Sequence, residues 1–209
     1  MNRINQMRCE KLASDIADLV SLSPALYEAF KSVDRSEFTE ISANAFELNP
    51  QLIAKNQWIS SPLTVAKMTM ALDLDDAENA LEIGCGSGYQ AAILSKIIRR
   101  VFAVERIEKL AIKARAKFAK LGISNVHVLY DDGNAGWKAY APYDRILLSA
   151  AAKSIDKRLF AQLKDGGILV APMVFEDGQK IVKFEKKNEK ITEEILGECE
   201  FVPLLEGKI

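Results

Sequence analysis

Leu81-Glu82-Ile83-Gly84-Cys85-Gly86-Ser87-Gly88-Tyr89-Gln90 runs from an apolar strand candidate into a glycine-rich turn and then into a helical segment. Strand, flexible turn and helix in that order form the opening unit of a parallel α/β sheet, with the turn at the carboxyl end of the strand. Glycine at 84, 86 and 88 permits unusual backbone angles and lets a ligand approach the main chain, and the helix that follows starts with unpaired N–H groups. Outward from this stretch the pattern repeats. Short apolar runs at 80–83, 101–104, 126–130, 145–148 and 168–171 alternate with helical segments around 90–98, 110–121 and 157–163. The reading is an α/β protein with a doubly wound, mostly parallel sheet.

Ahead of the sheet, Ile16, Leu19 and Val20, then Leu26, Ala29, Phe30 and Val33, recur at helical spacing, with Ser23 and Pro24 as N-cap and first helical residue. A loop-like stretch over 36–59 follows; Ser61-Pro62 then repeats the start signal for a helix carrying Leu63, Val65, Ala66, Met68 and Leu72. Long loops of this kind often form lids. Beyond Pro172, segments 180–186 and 191–197 flank Lys187, Asn188 and Glu189, which predicts an antiparallel hairpin. The expected organisation is one domain over 1–209: a helical lead-in and active-site loop over 1–75, then an α/β core over 76–209.

Composition narrows the class. A chain of 209 residues can bury roughly 70% of its unfolded surface in a single core. At 49% apolar and 27% charged it is neither a disordered chain nor a membrane-spanning one. The 28 basic and 29 acidic residues give a net charge of −1 with no long block of either sign, so nucleic acid is not an expected partner. Cys9, Cys85 and Cys199 are far apart and lack the close pairs of metal or redox sites, so no metal is expected and the thiols read as reduced. Without an apolar run of ~20 residues, no membrane partner is expected either, and the reading is a cytoplasmic protein.

Spacing separates the two common ligands of such a turn. Dinucleotide binders place the third glycine three positions after the second; here Tyr89 stands there and the glycine comes one residue earlier, at Gly88. This favours S-adenosylmethionine, which needs close backbone approach but has no pyrophosphate to cradle. Glu105 follows the second strand and suits the ribose hydroxyls; the bland alternative pairs it with Arg106 or Lys109. After the third strand, Asp132 is the candidate acceptor from the adenine amine, against a plain Asp132-Gly133 turn. His127, the single histidine, lies within a strand candidate and reads as structural.

These residues and their neighbours resemble the protein-L-isoaspartate O-methyltransferase family, a Rossmann-like S-adenosylmethionine-dependent group, over nearly the whole chain. The resemblance rests on 33–38, Asn56-Gln57-Trp58-Ile59-Ser60-Ser61-Pro62, 81–91, Val104-Glu105-Arg106-Ile107, Asp132-Gly133 with Gly136-Trp137, Ala141-Pro142-Tyr143-Asp144, Gln162-Leu163 with Gly166-Gly167, and Phe201-Val202-Pro203-Leu204. It implies methyl transfer from S-adenosyl-L-methionine to the α-carboxylate of isoaspartyl residues in damaged proteins or peptides, with S-adenosyl-L-homocysteine as product and a monomer as the working form. It implies cofactor contacts from Gly84, Cys85, Gly86, Ser87, Gly88, Glu105, Arg106, Asp132 and Gly133. Ser60 would act at the reacting carboxylate, with Trp58, Ile59 and Ser149 beside the substrate.

The substrate loop departs from the family's Gly-x-Gly-Gln-Thr-Ile-Ser-Gln-Pro: Ala54 and Asn56 stand for the glycines, Trp58 for threonine and Ser61 for glutamine. Asp131 stands for a glycine, Asn134 for an aromatic residue and Ser149 for a threonine. A methyltransferase for another small or peptidic acceptor and a non-catalytic S-adenosylmethionine-binding protein therefore stay open. The fourth strand runs into Ser149-Ala150-Ala151-Ala152, unlike the Asn/Asp-Pro-Pro-aromatic motif of amino-methylating enzymes, and only fold analogy supports a dehydrogenase.

Overall fold

The computed structural model describes all residues of 1–209 except Lys55. Two helices lead in, α1 (Arg3–Ala17) and α2 (Pro24–Ser32), and the Ser23 side chain caps α2 by accepting from the Leu26 N–H at 3.3 Å, with Pro24 opening the helix. A short antiparallel ribbon, β1 (Gln51–Ala54) and β2 (Gln57–Ile59), precedes α3 (Pro62–Ala71), which Ser61 caps in the same way through the Thr64 N–H. The core then alternates: β3 (Asn79–Ile83), α4 (Tyr89–Leu94), β4 (Arg100–Glu105), α5 (Glu108–Lys120), β5 (Val126–Tyr130), β6 (Tyr143–Leu148), α6 (Lys157–Gln162) and β7 (Leu163–Phe175). The chain finishes the sheet with the hairpin β8 (Gly178–Lys187) and β9 (Lys190–Cys199).

The seven strands lie in the order β5-β4-β3-β6-β7-β8-β9, parallel from β5 to β7 and antiparallel thereafter. Chain order reverses between β3 and β6. A crevice opens outside the carboxyl ends of strands at such a switch point, and the glycine turn after β3 emerges there. The central strands β4, β3 and β6 and the middle of β7 are covered on both faces, which is why they read as apolar runs rather than alternating ones, whereas β9 is exposed along nearly its whole length. Ala80, Val101, Ala103 and Leu147 pack towards Leu12, Phe30, Met68, Ile93 and Phe118, while Leu81, Ile83, Phe102, Val104 and Ile146 pack against Leu159 and Trp137 on the other side. Asn188 and Glu189 turn the final hairpin with φ of 50° and 61°, the double left-handed geometry that matches strand twist.

Four elements differ from the sequence reading. Leu19 and Val20, read at helical spacing with Ile16, lie beyond the end of α1 at Ala17, with Leu19 58% exposed. The stretch over 36–59 is organised rather than loop-like: it holds the 3-10 turn Ser42–Asn44 and the ribbon. The helix expected over 90–98 ends at Leu94, and turns continue to Ile98, with the Ser95 hydroxyl bonding back to the Ala92 carbonyl at 2.7 Å. The strand expected over 168–171 is part of a longer β7, because a bulge carries its pairing with β6 from Leu163 to Ile168 and β8 pairs with it out to Phe175. Among the described residues, no helix is long and apolar enough to cross a membrane.

Candidate active site

The turn after β3 is held from beneath. Gly84 and Cys85 both donate their N–H to the Val104 carbonyl, at 2.8 and 3.2 Å, and Ser149 donates to the Ile83 carbonyl at 2.8 Å, so the ends of β3, β4 and β6 are tied together. The glycines serve different ends. Gly86 lines the cleft in a left-handed conformation (φ 55°), so the main chain itself forms the wall. Gly88 opens α4 at φ 91° and is outside that lining; a Cβ there would sit 2.7 Å from the Phe118 ring, so its role is to let α4 and α5 pack.

Two buried carboxylates bracket the turn. Glu105, 4% exposed at the end of β4, accepts from the Gly86 N–H at 2.7 Å and from the Ile107 N–H at 2.9 Å. Burial pushes its carboxyl above the usual range, and these N–H donors oppose the rise. Glu82, within β3, is fully buried, and one oxygen accepts from the Ser149 hydroxyl at 3.0 Å while the other has no donor among the described residues. Burial pushes this carboxyl up to about 8, against the pull of the Ser149 bond. Glu82 is the site residue that sequence reading passed over; its signal was a lone acid inside a strand buried on both faces.

The cleft has two lobes sharing Trp58, Gly84, Gly86 and Ser149. The inner lobe takes in Ile59, Ser60, Glu82, Cys85, Ser87 and Gln90. The outer lobe takes in Glu105, Arg106, Ile107, Gly133 and, from the chain's end, Val202 to Leu205. Asp132 lies outside both. Its carboxylate accepts from the Asn134 N–H (2.9 Å) and side-chain amide (2.8 Å) and from the Gly207 N–H (2.8 Å), so it caps a turn and anchors the tail. Arg106 has the same second duty, donating to the Gly207 and Glu206 carbonyls at 2.9 and 3.2 Å. The tail thereby closes over the outer lobe: Leu204 donates to the Ala151 carbonyl at 2.7 Å, and Ile209 to that of Arg106 at 2.9 Å.

Ser60 and Trp58 are positioned by a residue that sequence reading did not single out. Arg35 is fully buried and donates to the carbonyls of Ala45 (2.7 Å), Ser60 (2.9 Å) and Asn49 (3.4 Å), with its guanidinium 5.5 Å from the Tyr89 ring centroid. One cation thus ties the substrate loop to the first residue of α4. Asn56, in a position where the resembling family has glycine, keeps a left-handed backbone at φ 56°, which asparagine tolerates. Trp58 does not plug the cleft: it is 52% exposed and lines the cleft wall. His127 stacks on Phe102 with ring centroids 5.4 Å apart and is not part of the cleft lining.

A seven-stranded doubly wound sheet with a glycine turn between two buried acids at its switch point defines a Rossmann-like methyltransferase. The family described as protein-L-isoaspartate(D-aspartate) O-methyltransferase matches residues 8–209, and the chain belongs to it. A protein-L-isoaspartate O-methyltransferase of Helicobacter pylori is 49% identical over 211 residues, covering 99% of both chains. Another, from Desulfosudis oleivorans, is 42% identical over 205 residues, covering 97% of this chain and 93% of its own. A solved protein-L-isoaspartate O-methyltransferase superposes with a TM-score of 0.86 at 27% identity; 93% of this chain is matched, and it spans 65% of that longer one. A Plasmodium falciparum beta-aspartate methyltransferase structure in complex with S-adenosyl-L-homocysteine shares the fold, with a TM-score of 0.83 at 20% identity over 94% and 97% of the two chains.

Proposed function

We propose that this chain transfers the methyl group of S-adenosylmethionine to the α-carboxylate of L-isoaspartyl residues in damaged proteins, releasing S-adenosyl-L-homocysteine and starting their repair. The observation that carries the assignment of the cofactor berth is the pair of buried acids, Glu82 and Glu105, on either side of a main-chain wall at Gly86. The donor set fits the ligand. Glu82 offers a buried carboxyl with one oxygen unpartnered among the described residues, which a cationic methionyl group would hold in its ionised form, and Glu105 presents a carboxylate to a ribose diol. Cys85 and Ser87 would flank the methionyl part, with Gly133 and Arg106 at the adenine end and Asp132 supporting that end through the turn it caps. The cofactor supplies an electrophilic methyl on a sulfonium.

The protein's own residues have a positioning task. An α-carboxylate is ionised at neutral pH and attacks without a general base, in keeping with a cleft that has no histidine in its lining. Ser60 lines the inner lobe at its mouth, where its hydroxyl donates to the incoming carboxylate. Ser149 holds Glu82, and Trp58 with Ile59 forms the wall that excludes water. The proposal takes the working form to be a cytoplasmic monomer, in keeping with the unpaired thiols of Cys9, Cys85 and Cys199, as expected in a reducing compartment. A second reading, methylation of another peptidic acceptor, is favoured by Trp58, which brings an indole to the mouth.

The test uses labelled S-adenosylmethionine with matched peptides carrying isoaspartyl or normal aspartyl residues. Label in the isoaspartyl peptide alone is the expected result; equal label in both favours the second reading, and label in neither overturns methyl transfer to such peptides.

A further inference from the structure

The inner lobe does not end at Ser60. Ser60, Ser149 and Trp58 also line an outer groove of about 300 Å³, completed by Pro50, Phe201 and Val202, with Glu200 as the one charged residue among the described residues of the lining. Alternation along β2 explains the wall: Ile59 turns into the core at 5% exposure, so Trp58 faces outward and keeps half its surface in solvent. An indole held half-bare beside a reacting site is surface available to a partner rather than core.

The walls are built in advance. The Trp58 backbone is paired with Leu52 across the ribbon, and Arg35 holds the carbonyls of Asn49 and Ser60 on either side of it. On the opposite wall, Phe201 donates its N–H to the Gln179 side-chain oxygen at 2.8 Å and receives that amide on its carbonyl at 3.1 Å. Neither wall needs to fold around an occupant, so little ordering entropy is lost on binding.

A peptide substrate continues beyond its reacting residue, and this groove is continuous with the place where the carboxylate must sit. We infer that Trp58, Phe201 and Pro50 form a subsite for a large apolar or aromatic side chain next to the isoaspartyl residue, making Trp58 a specificity-determining residue of this chain. The inference rests on the isoaspartyl reading above. Discrimination comes from apolar area covered on binding, so it falls chiefly on KM.

The experiment compares isoaspartyl peptides identical except for phenylalanine, leucine or glycine on each side of the isoaspartyl residue, measured as kcat/KM. For the unaltered protein, phenylalanine or leucine on one side is expected to exceed glycine by about tenfold or more. In Trp58→Thr that ratio collapses to about twofold or less, and Trp58→Phe restores most of it. Equal kcat/KM across the unaltered protein's series, or a ratio that survives Trp58→Thr in a protein whose thermal unfolding is unchanged, overturns the subsite while leaving the isoaspartyl reading intact. Failure to label any isoaspartyl peptide overturns both.

Discussion

Replacing Glu82 by glutamine should stabilise the empty protein at neutral and higher pH. In the folded chain this carboxyl titrates at about 8, raised first by burial; in the unfolded chain it returns to the ordinary value near 4.5. Between those two values the folded protein holds a proton that the unfolded chain has released, so stability falls as pH rises through that window and levels off above it. At about 1.4 kcal/mol per pH unit, Glu82 subtracts roughly 3 kcal/mol between pH 5 and pH 7, and on the order of 5 kcal/mol over the whole window. Glutamine keeps an oxygen for the Ser149 hydroxyl but does not titrate, so its offset is constant with pH. Urea unfolding of both proteins at pH 5, 6, 7 and 8 isolates the effect, because every other titrating group is common to the two. The reasoning predicts a stability difference that grows with pH in favour of Glu82→Gln; a difference flat to within about 0.5 kcal/mol would refute it.

Arg35→Met should lower stability by on the order of 3 kcal/mol, since the carbonyls of Ala45 and Ser60 lose a buried donor; an unchanged melting temperature would show that Arg35 does not brace the loop. Removing residues 206–209 takes away the Gly207 and Ile209 contacts with Asp132 and Arg106, so S-adenosylhomocysteine should leave several-fold faster in stopped-flow measurements. An unaltered off-rate would mean that the tail does not close the outer lobe. Gly88→Ala places a Cβ against the Phe118 ring at positive φ and should cost about 1–3 kcal/mol, read by urea unfolding; a variant as stable as the parent would contradict the packing role given to this glycine.

The glycine turn and the central parallel strands were legible because strands covered on both faces demand continuous apolar runs, and the run predicted over 145–148 lies within β6, which is buried along its whole length. What escaped was set by partners distant in sequence. Glu82 carried no role in the sequence, because the hydroxyl that meets it belongs to Ser149, 67 residues further on. Asp132 read as an adenine acceptor because nothing near it announces Gly207, which is 75 residues away and occupies one of its oxygens. The ribbon at Gln51–Ile59 was invisible to periodicity, since strands of four and three residues are too short to establish a period, and Arg35, 25 residues before Ser60, gives no local sign that it holds that carbonyl. The length of β7 was hidden because Lys164 to Gly167 interrupt the apolar run, while the pairing with β6 resumes across them from Leu163 to Ile168.

The central claim is that the crevice between the glycine turn and Glu105 is a berth for an adenosyl cofactor, and calorimetric titration of S-adenosylhomocysteine into the parent protein and Glu105→Ala tests it most directly. Loss of a charged acceptor from the ribose predicts binding at least about tenfold weaker in the variant, since hydrogen bonds to charged groups contribute roughly 1.5–3 kcal/mol each. Equal affinity in the two proteins, both folded, would contradict the account.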